Sequence, residues 1–349
     1  MKKFIALLIM ILAATESIFL AACFGETKTD KISVVCTIFP EYDWLKSITE
    51  GGDGVQITLL AESGVDLHSY QPSVEDIAAI SACDMFVFVG GESDEWVENV
   101  LKTANNQKMK AINLLEVLGD RAKKEEFAEG TEHEHGEEDA EKGKERGERE
   151  KSEQAGNEEH GEHDEHEEEL DEHVWLSLKN AEIFCKKLAE ELKILDEANA
   201  ELYEKNLAAY LKKLAALDKE FESATENAPY KTLLFGDRFP FRYLADDYGL
   251  EYYAAFAGCS AETEASFETL VFLAKKTDEL GLPAICALEG TKHKIAETIR
   301  ESTAAKNQQI VTFDSMQSVT KKQIDGGASY LSVMEFNLSA LKKALDAAV

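Results

Sequence analysis

Short apolar runs alternate with helical patterns along this chain, and the alternation occurs twice. Strand-like runs lie at 32–39, 55–60, 85–91 and 110–114, and again after Pro229 at 232–235, 251–256, 284–288 and 309–313. Helical patterns separate these runs, and such alternation is typical of βαβ units with a parallel sheet. The sequence therefore predicts an α/β protein with two similar lobes, although no residue-level repeat relates them.

The two predicted lobes span 31–195 and 229–349. Between them, apolar residues over 202–221 recur near the helical period of 3.6 residues, so we expect a long linking helix at 196–228. An acidic segment at about 119–170 interrupts the N-terminal lobe. It contains few apolar residues and cannot bury enough surface to offset the entropy of ordering, so it is expected to be disordered.

Charge is concentrated in this acidic segment. The formal net charge of the chain is −31, and residues 125–172 contain 23 acidic against 5 basic residues. A balance this negative argues against nucleic acid as a partner, because nucleic acid selects basic surfaces. It suits a protein that attracts cations.

Histidine is concentrated in the same segment and directly after it, since six of the eight histidines lie from His133 to His173. Imidazole and carboxylate bind zinc and similar divalent metals, so the clustering indicates metal handling, with a solvated loop as the alternative. The expected weak ligands are His133, His135, His160, His163 and His166. His173 is a stronger candidate because it precedes the apolar pair Val174 and Trp175, outside the solvated tract.

The chain begins with the pattern of a secretory signal. Lys2 and Lys3 precede an apolar run at 4–14, and Leu-Ala-Ala-Cys ends at Cys23. This order predicts a signal peptide at 1–22, and its end resembles the bacterial lipobox, in which the Cys is lipidated. No later run approaches the roughly 18 apolar residues of a membrane span. We therefore expect an extracytoplasmic protein, anchored to the cell membrane only through acylated Cys23.

Polar side chains follow two of the predicted strands. His68 lies on a Gly- and Pro-bounded loop after 55–60, and Asp314 comes directly after 309–313. Loops at the carboxyl ends of parallel strands are where such folds bind ligands. Together with His173, these residues indicate a metal site built from several loops. Two histidines and carboxylate oxygens suit zinc or manganese better than copper(I).

Several stretches resemble the zinc- and manganese-specific solute-binding lipoproteins of ABC transporters. Residues 64–72 are similar to their Gly-x-Asp-Pro-His-x-Tyr-x-Pro motif, and 171–175 are similar to their Asp-Pro-His-x-Trp motif. Residues 258–266 resemble their Gly-x-Ser-Pro-Glu-x-Glu-Pro-Ser stretch, and the acidic segment resembles the His-rich loop of the zinc members. The resemblance implies two α/β lobes joined by a long helix, with the metal in the cleft between them.

The resemblance also implies a role and a first set of ligands. The chain would be a monomer that captures zinc and passes it to an ABC permease and its ATPase. His68 and His173 would be ligands from the N-terminal lobe, and Asp314 matches the family's C-terminal carboxylate ligand.

The fourth ligand departs from the family's pattern. Phe241 and Tyr243 match a His-x-Ala-Phe-x-Tyr stretch, but its ligand position holds Arg238. A guanidinium stays protonated and cannot coordinate a metal. Asp237 is the expected substitute, and Cys259 is a weaker candidate because a thiol there more often has a structural role.

Three alternatives to zinc capture stay open at this point. The first is a manganese-binding protein of the same class. The second is a metal-dependent hydrolase of two domains, although the chain has no Gly-x-Ser-x-Gly elbow, no phosphate-binding glycine loop and no His-Glu-x-x-His pattern. The third is a surface adhesin or metal buffer that works without a transporter. We expect a binding protein and not an enzyme.

Overall fold

The computed structural model describes residues 31–61, 64–126, 129, 169–259, 264–290 and 292–346. The first sheet contains β1 (Ile32–Cys36), β2 (Val55–Leu59), β3 (Met85–Phe88) and β4 (Lys110–Asn113), and the second contains β5 (Thr232–Arg238), β6 (Glu251–Phe256), β7 (Ala284–Leu288) and β8 (Gln309–Phe313). Their strand orders are β2-β1-β3-β4 and β6-β5-β7-β8, with parallel pairing throughout. The prediction of two similar α/β lobes is confirmed.

Helices cover the sheets and connect them. The N-terminal lobe contains α1 (Phe39–Thr49), α2 (Val74–Ala82), α3 (Glu95–Thr103), α4 (Leu114–Leu118) and α5 (Leu178–Leu195); α6 (Ala200–Glu226) follows; the C-terminal lobe contains α7 (Arg242–Asp247), α8 (Phe267–Leu280), α9 (Lys294–Ser302), α10 (Lys321–Asp325) and α11 (Tyr330–Ala344). Serine caps the first turn of several helices, as Ser73 does for α2 and Ser266 for α8. Within the described ranges, no helix combines the length and apolar composition needed to cross a membrane.

The burial of β3 and β7 explains why their sequences are continuous apolar runs. Every residue of β3 and of β7 is buried. Strands of a parallel sheet are covered by helices on both faces, so both sets of side chains must be apolar.

The long helix α6 lies against both lobes. Its buried side chains are Tyr203, Tyr210, Leu214, Leu217, Phe221, Ala224 and Thr225. It packs against α1 and α5 of the N-terminal lobe and against α11 of the C-terminal lobe. The indole Nε1 of Trp175 also donates to the Ser315 carbonyl across the lobes at 2.8 Å, and the Tyr330 hydroxyl donates to the Trp175 carbonyl at 2.7 Å. The two lobes are therefore joined by the packing of α6 and by these hydrogen bonds.

The two ends of the acidic segment pair with each other through their backbones. Lys124 pairs antiparallel with Leu170, and the Glu125 amide donates to the Glu169 carbonyl at 2.8 Å. The sequence predicted disorder from about 119, but the described residues up to 126 have regular structure. Gly119–Arg121 forms a 3₁₀ turn, and 123–125 pair with 169–171. The rest of the segment with its five histidines, and the signal residues with Cys23, lie outside the described residues.

Candidate metal centre

His68 lies on a 3₁₀ turn, Leu67–Ser69, after β2. The turn is held from both sides, since the Asp66 carboxylate accepts from the His68 amide at 3.1 Å and the Leu67 side chain is buried. An Asp at the start of a turn satisfies a backbone N–H that would otherwise lack a partner. The imidazole is thereby presented at the carboxyl end of β2, with 14% of its side chain exposed.

His173 is fully buried and precedes a second 3₁₀ turn, Val174–Leu176, that leads into α5. The three residues of this turn are also fully buried, so apolar packing fixes the backbone beside the imidazole. The Asp171 carboxylate accepts from the His173 amide at 2.8 Å. Both predicted histidines are therefore held by a preceding Asp two residues earlier in the chain.

The two imidazoles meet through their Nε2 atoms, which lie 3.2 Å apart. Each Nδ1 faces an acceptor. His173 Nδ1 lies 3.0 Å from the Asp171 carboxylate, and His68 Nδ1 lies 2.7 Å from Ser93 Oγ. The Ser93 hydroxyl donates its own proton to the Glu172 carboxylate, so its oxygen accepts from His68. Protonated Nδ1 atoms leave the lone pairs on Nε2, which is the arrangement of metal-binding histidines.

The environment keeps His68 uncharged. Burial, followed by the neighbouring His173, lowers the pKa of His68 to about 3. A neutral imidazole retains the lone pair that a metal requires, whereas a protonated one does not. At neutral pH this ligand is therefore ready to bind a cation.

Cys259 completes a cluster with the two histidines. Ligand atoms of His68, His173 and Cys259 all lie within 4.8 Å of one another. Cys259 follows β6 on a loop of the C-terminal lobe, and burial raises the pKa of its thiol. In the sequence, Cys259 is indicated only by its place in the stretch 258–266, and Asp237 is the stronger candidate.

Arg238, at the end of β5, binds Asp66 across the cleft. Its Nη2 lies 2.8 Å from Asp66 Oδ2. Although burial opposes the effect, the Arg238 guanidinium lowers the pKa of Asp66. The charge of Arg238 is therefore neutralised by a carboxylate of the opposite lobe.

Asp237 and Asp314 lie at the carboxyl ends of β5 and β8, but neither belongs to the cluster of three ligand atoms. The Asp237 carboxylate accepts from the Arg238 amide at 3.0 Å and from the Leu288 amide at 3.2 Å. Asp314 Oδ1 accepts from the Met316 amide at 2.8 Å. A third carboxyl group, that of Glu289 directly after β7, lies near Asp314. Burial and the nearby Asp314 raise the pKa of Glu289 to about 7.

Sequence reasoning missed two residues that contact the imidazoles, Ser93 and Gln317. Ser93 comes from the loop after β3, where Gly90 and Gly91 gave only a general signal of a binding loop. The Gln317 amide nitrogen lies 3.0 Å from His173 Nε2, and no motif indicated this residue. The site opens into a cleft of about 1190 Å³ between the lobes, lined among others by His68, Asp237, Arg238 and Cys259.

The profile of a family described as zinc-uptake complex component A, periplasmic (ZnuA), matches residues 34–344. The chain is 31% identical over 342 residues to the zinc-binding lipoprotein AdcA of Streptococcus pneumoniae, covering 97% of this chain and 60% of that protein. It is 30% identical over 321 residues to the high-affinity zinc uptake system protein ZnuA of Bacillus subtilis, covering 92% of this chain and 90% of that protein. The chain thus spans about 60% of the length of the AdcA relative.

Solved structures show the same architecture. The Zn(II)-bound ZnuA-like domain of Streptococcus pneumoniae AdcA superposes with a TM-score of 0.66 at 28% identity, over 90% of this chain and 99% of that one. The metal-dependent lipoprotein YcdH of Bacillus subtilis superposes with a TM-score of 0.68 at 26% identity, over 90% and 99% of the two chains. These similarities extend over both lobes.

Proposed function

The chain belongs to the family of periplasmic zinc-uptake component A proteins, and on that premise we propose that it captures zinc outside the cytoplasm for an ABC permease. One observation carries the proposal. The Nε2 atoms of His68 and His173 converge to 3.2 Å at the interlobe cleft, and their Nδ1 atoms face a carboxylate and a hydroxyl. Neutral imidazoles oriented in this way are suited to bind zinc. The site is assigned to binding and release, not to catalysis.

Ligand chemistry supports zinc over manganese. Imidazole nitrogen suits zinc, whereas manganese prefers carboxylate, carbonyl and water oxygens. Among the described residues, the cluster consists of the imidazoles of His68 and His173 and the thiol of Cys259, and the carboxylates proposed below as further ligands lie outside it. Isothermal titration of the full chain with each metal is expected to give one tight zinc equivalent and weaker binding of manganese. A chain without a tight equivalent of either metal contradicts the proposal.

The carboxylates of the C-terminal lobe are proposed as further ligands, Asp314 before Asp237. Both Asp237 oxygens accept backbone hydrogen bonds, whereas among the described contacts of Asp314 only Oδ1 does. Asp314→Ala is therefore expected to weaken zinc binding more than Asp237→Ala, and titration of the two variants compares them. Equal affinity of both variants and the unchanged chain removes both carboxylates from the site.

The acidic segment is proposed to collect zinc before the tight site binds it. Its charge and five histidines support this role, since a charged tract raises the local cation concentration and histidines hold zinc weakly. Deleting 130–167 spares the paired ends of the segment, so the fold and the tight equivalent should persist while weak equivalents disappear. A second variant with the five histidines changed to asparagine keeps the charge and separates the two contributions. Equal stoichiometry and equal loading rates at low salt in all three proteins would leave the segment without a metal role.

Membrane attachment and delivery are proposed on the same premise. Cys23 is the proposed site of lipidation, since AdcA of Streptococcus pneumoniae is itself a zinc-binding lipoprotein. Cys23→Ala should move the protein from the membrane fraction to the soluble fraction of cells. Cross-linking in intact cells should recover an ABC permease, and recovery of no transporter subunit favours a metal buffer.

A further inference from the structure

We propose that the thiolate of Cys259 is a ligand from the C-terminal lobe to the captured metal, joining His68 and His173 in a site to which the proposed Asp314 carboxylate would be a further ligand. The inference rests on the proposed zinc binding and adds a specific ligand to it. Its starting point is the cluster in which ligand atoms of His68, His173 and Cys259 lie within 4.8 Å of one another. These atoms come from both lobes, and each belongs to a residue type that coordinates zinc.

The distances suit a tetrahedral zinc ion. Zinc–nitrogen bonds of about 2.0 Å and zinc–sulfur bonds of about 2.3 Å place two nitrogen ligands roughly 3.3 Å apart and a nitrogen and a sulfur ligand roughly 3.5 Å apart. The two Nε2 atoms already lie 3.2 Å apart, and the separation of up to 4.8 Å within the cluster exceeds the nitrogen–sulfur value by about 1.3 Å. A small closing of the cleft, or a rotation of the Cys259 side chain, brings the sulfur to bonding distance.

The backbone around Cys259 is built for this approach. A Cβ at Gly258 would lie 3.0 Å from His173 Cε1 and 3.0 Å from the Phe239 carbonyl, so glycine lets this loop pass close to the imidazole without displacing either neighbour. The Cys259 amide donates to the Glu125 carboxylate at 3.3 Å. Because the Glu125 amide also donates to the Glu169 carbonyl, the loop is tied to the chain segment that leads to His173.

The residue at the expected ligand position cannot take this role. Arg238 stays protonated, and its guanidinium is bound to Asp66. Asp237 is held by two backbone amides of its own lobe. Among the described residues of the C-terminal lobe, Cys259 is the one that contributes a ligand atom to the cluster. Because Cys259 belongs to one lobe and the two histidines to the other, a metal bound by all three would hold the cleft closed.

A thiolate has a consequence for selectivity. Sulfur ligands favour zinc and copper(I), whereas manganese prefers oxygen ligands. Replacing the thiolate by a carboxylate, as in Cys259→Asp, is expected to reduce the preference for zinc over manganese. The same change keeps a negative ligand in place, so it separates ligand softness from charge.

X-ray absorption at the zinc edge tests the ligand directly. The full chain, loaded with one equivalent of zinc, is expected to show a sulfur neighbour at about 2.3 Å beside nitrogen or oxygen neighbours at about 2.0 Å. Cys259→Ala should lose the sulfur neighbour and bind zinc at least about tenfold more weakly, the size expected even for changes outside the ligand shell. Cys286→Ala is the matched control, because Cys286 is buried in β7 of the same lobe and outside the cluster, and it should keep the sulfur.

Two outcomes separate this inference from the proposed function. A wild-type chain that binds zinc tightly with only nitrogen and oxygen neighbours overturns the Cys259 ligand and leaves zinc capture standing. A chain that binds no zinc tightly contradicts the function itself. If Cys259→Ala does not fold, the wild-type spectrum alone decides, since no other cysteine belongs to the cluster among the described residues.

Discussion

The two sides of the cleft hold their polar side chains in different ways. On the N-terminal side, His68 and His173 point their Nε2 atoms at one place, and Ser93 and Asp171 hold their Nδ1 atoms. On the C-terminal side, the Asp237 carboxylate accepts backbone amides of its own lobe. One side is preorganised for a cation, and the other retains satisfied groups that would have to rearrange.

This difference separates two properties of the site. Orientation of two neutral imidazoles before binding reduces the reorganisation that a metal must drive, so the N-terminal side should set most of the affinity. The C-terminal side differs from the family's pattern at Arg238 and contributes Cys259, so it should set which metal is preferred. The experiments below are ordered by how strongly they should affect this asymmetry.

The largest effect is expected from removing a histidine of the N-terminal side. His173→Ala or His68→Ala should weaken zinc binding by more than about 100-fold, because each removes a direct bond and changes outside the ligand shell already cost about 10- to 100-fold. Competition with a chelator of known affinity measures the loss. His293→Asn is the matched control, since His293 borders the same cleft and its Nε2 lies 3.2 Å from the Leu288 carbonyl. A loss as large in His293→Asn as in His173→Ala would contradict the asymmetry.

A smaller loss is expected when only the orientation of an imidazole changes. Asp171→Ala removes the acceptor of His173 Nδ1 and should weaken zinc binding about 10- to 100-fold. Asp76→Ala, which removes a capping carboxylate at the start of α2, tests for a general loss of stability. If both variants bind zinc as the unchanged chain does, the hydrogen bond to Asp171 does not prepare the site.

Breaking the ion pair across the cleft should matter little for affinity. Arg238→Gln breaks the ion pair with Asp66, which is partly exposed. Such a pair contributes about 1 kcal/mol, so its loss should weaken zinc binding at most about fivefold. A double-mutant cycle with Asp66→Asn measures the coupling by titration. A loss above 100-fold in Arg238→Gln would place the guanidinium among the groups that prepare the site.

Protonation should have the smallest effect on zinc binding near neutral pH. Because the pKa of folded His68 is lowered to about 3, the folded chain leaves it neutral from pH 8 to pH 4, while the unfolded chain protonates it below about 6.5. The unfolded state then binds more protons, so this residue makes the protein less stable as pH falls from 6.5 toward 3. Nuclear magnetic resonance of the His68 Cε1 proton in the metal-free chain should show no titration above pH 4.5. A midpoint near 6.5 would show that burial does not keep the ligand neutral.

Sequence patterns predicted the elements that are long or fully apolar. The expected ranges 251–256, 284–288 and 309–313 coincide with β6, β7 and β8. The expected helix at 196–228 contains α6, because several turns of periodic apolar residues leave a clear signal. The helix α10 was not predicted and 114 was assigned to a strand, since five-residue helices such as α4 and α10 contain too few turns for a period to emerge.

The site could be predicted only where one motif contains both the ligand and its support. Asp66 with His68, and Asp171 with His173, lie two residues apart, so each local pattern carries the backbone geometry as well. Cys259, by contrast, lies near the two histidines because of the fold of the whole C-terminal lobe. Its distance from His173 depends on the packing of Gly258 against the imidazole, and no local spacing encodes that contact.

The location of the metal is the central claim, and anomalous scattering at the zinc edge measures it most directly. Crystals of the full chain with one equivalent of zinc should give a single strong peak about 2.0 to 2.1 Å from Nε2 of both His68 and His173. A peak elsewhere, with both imidazoles free of metal, would contradict the site described here.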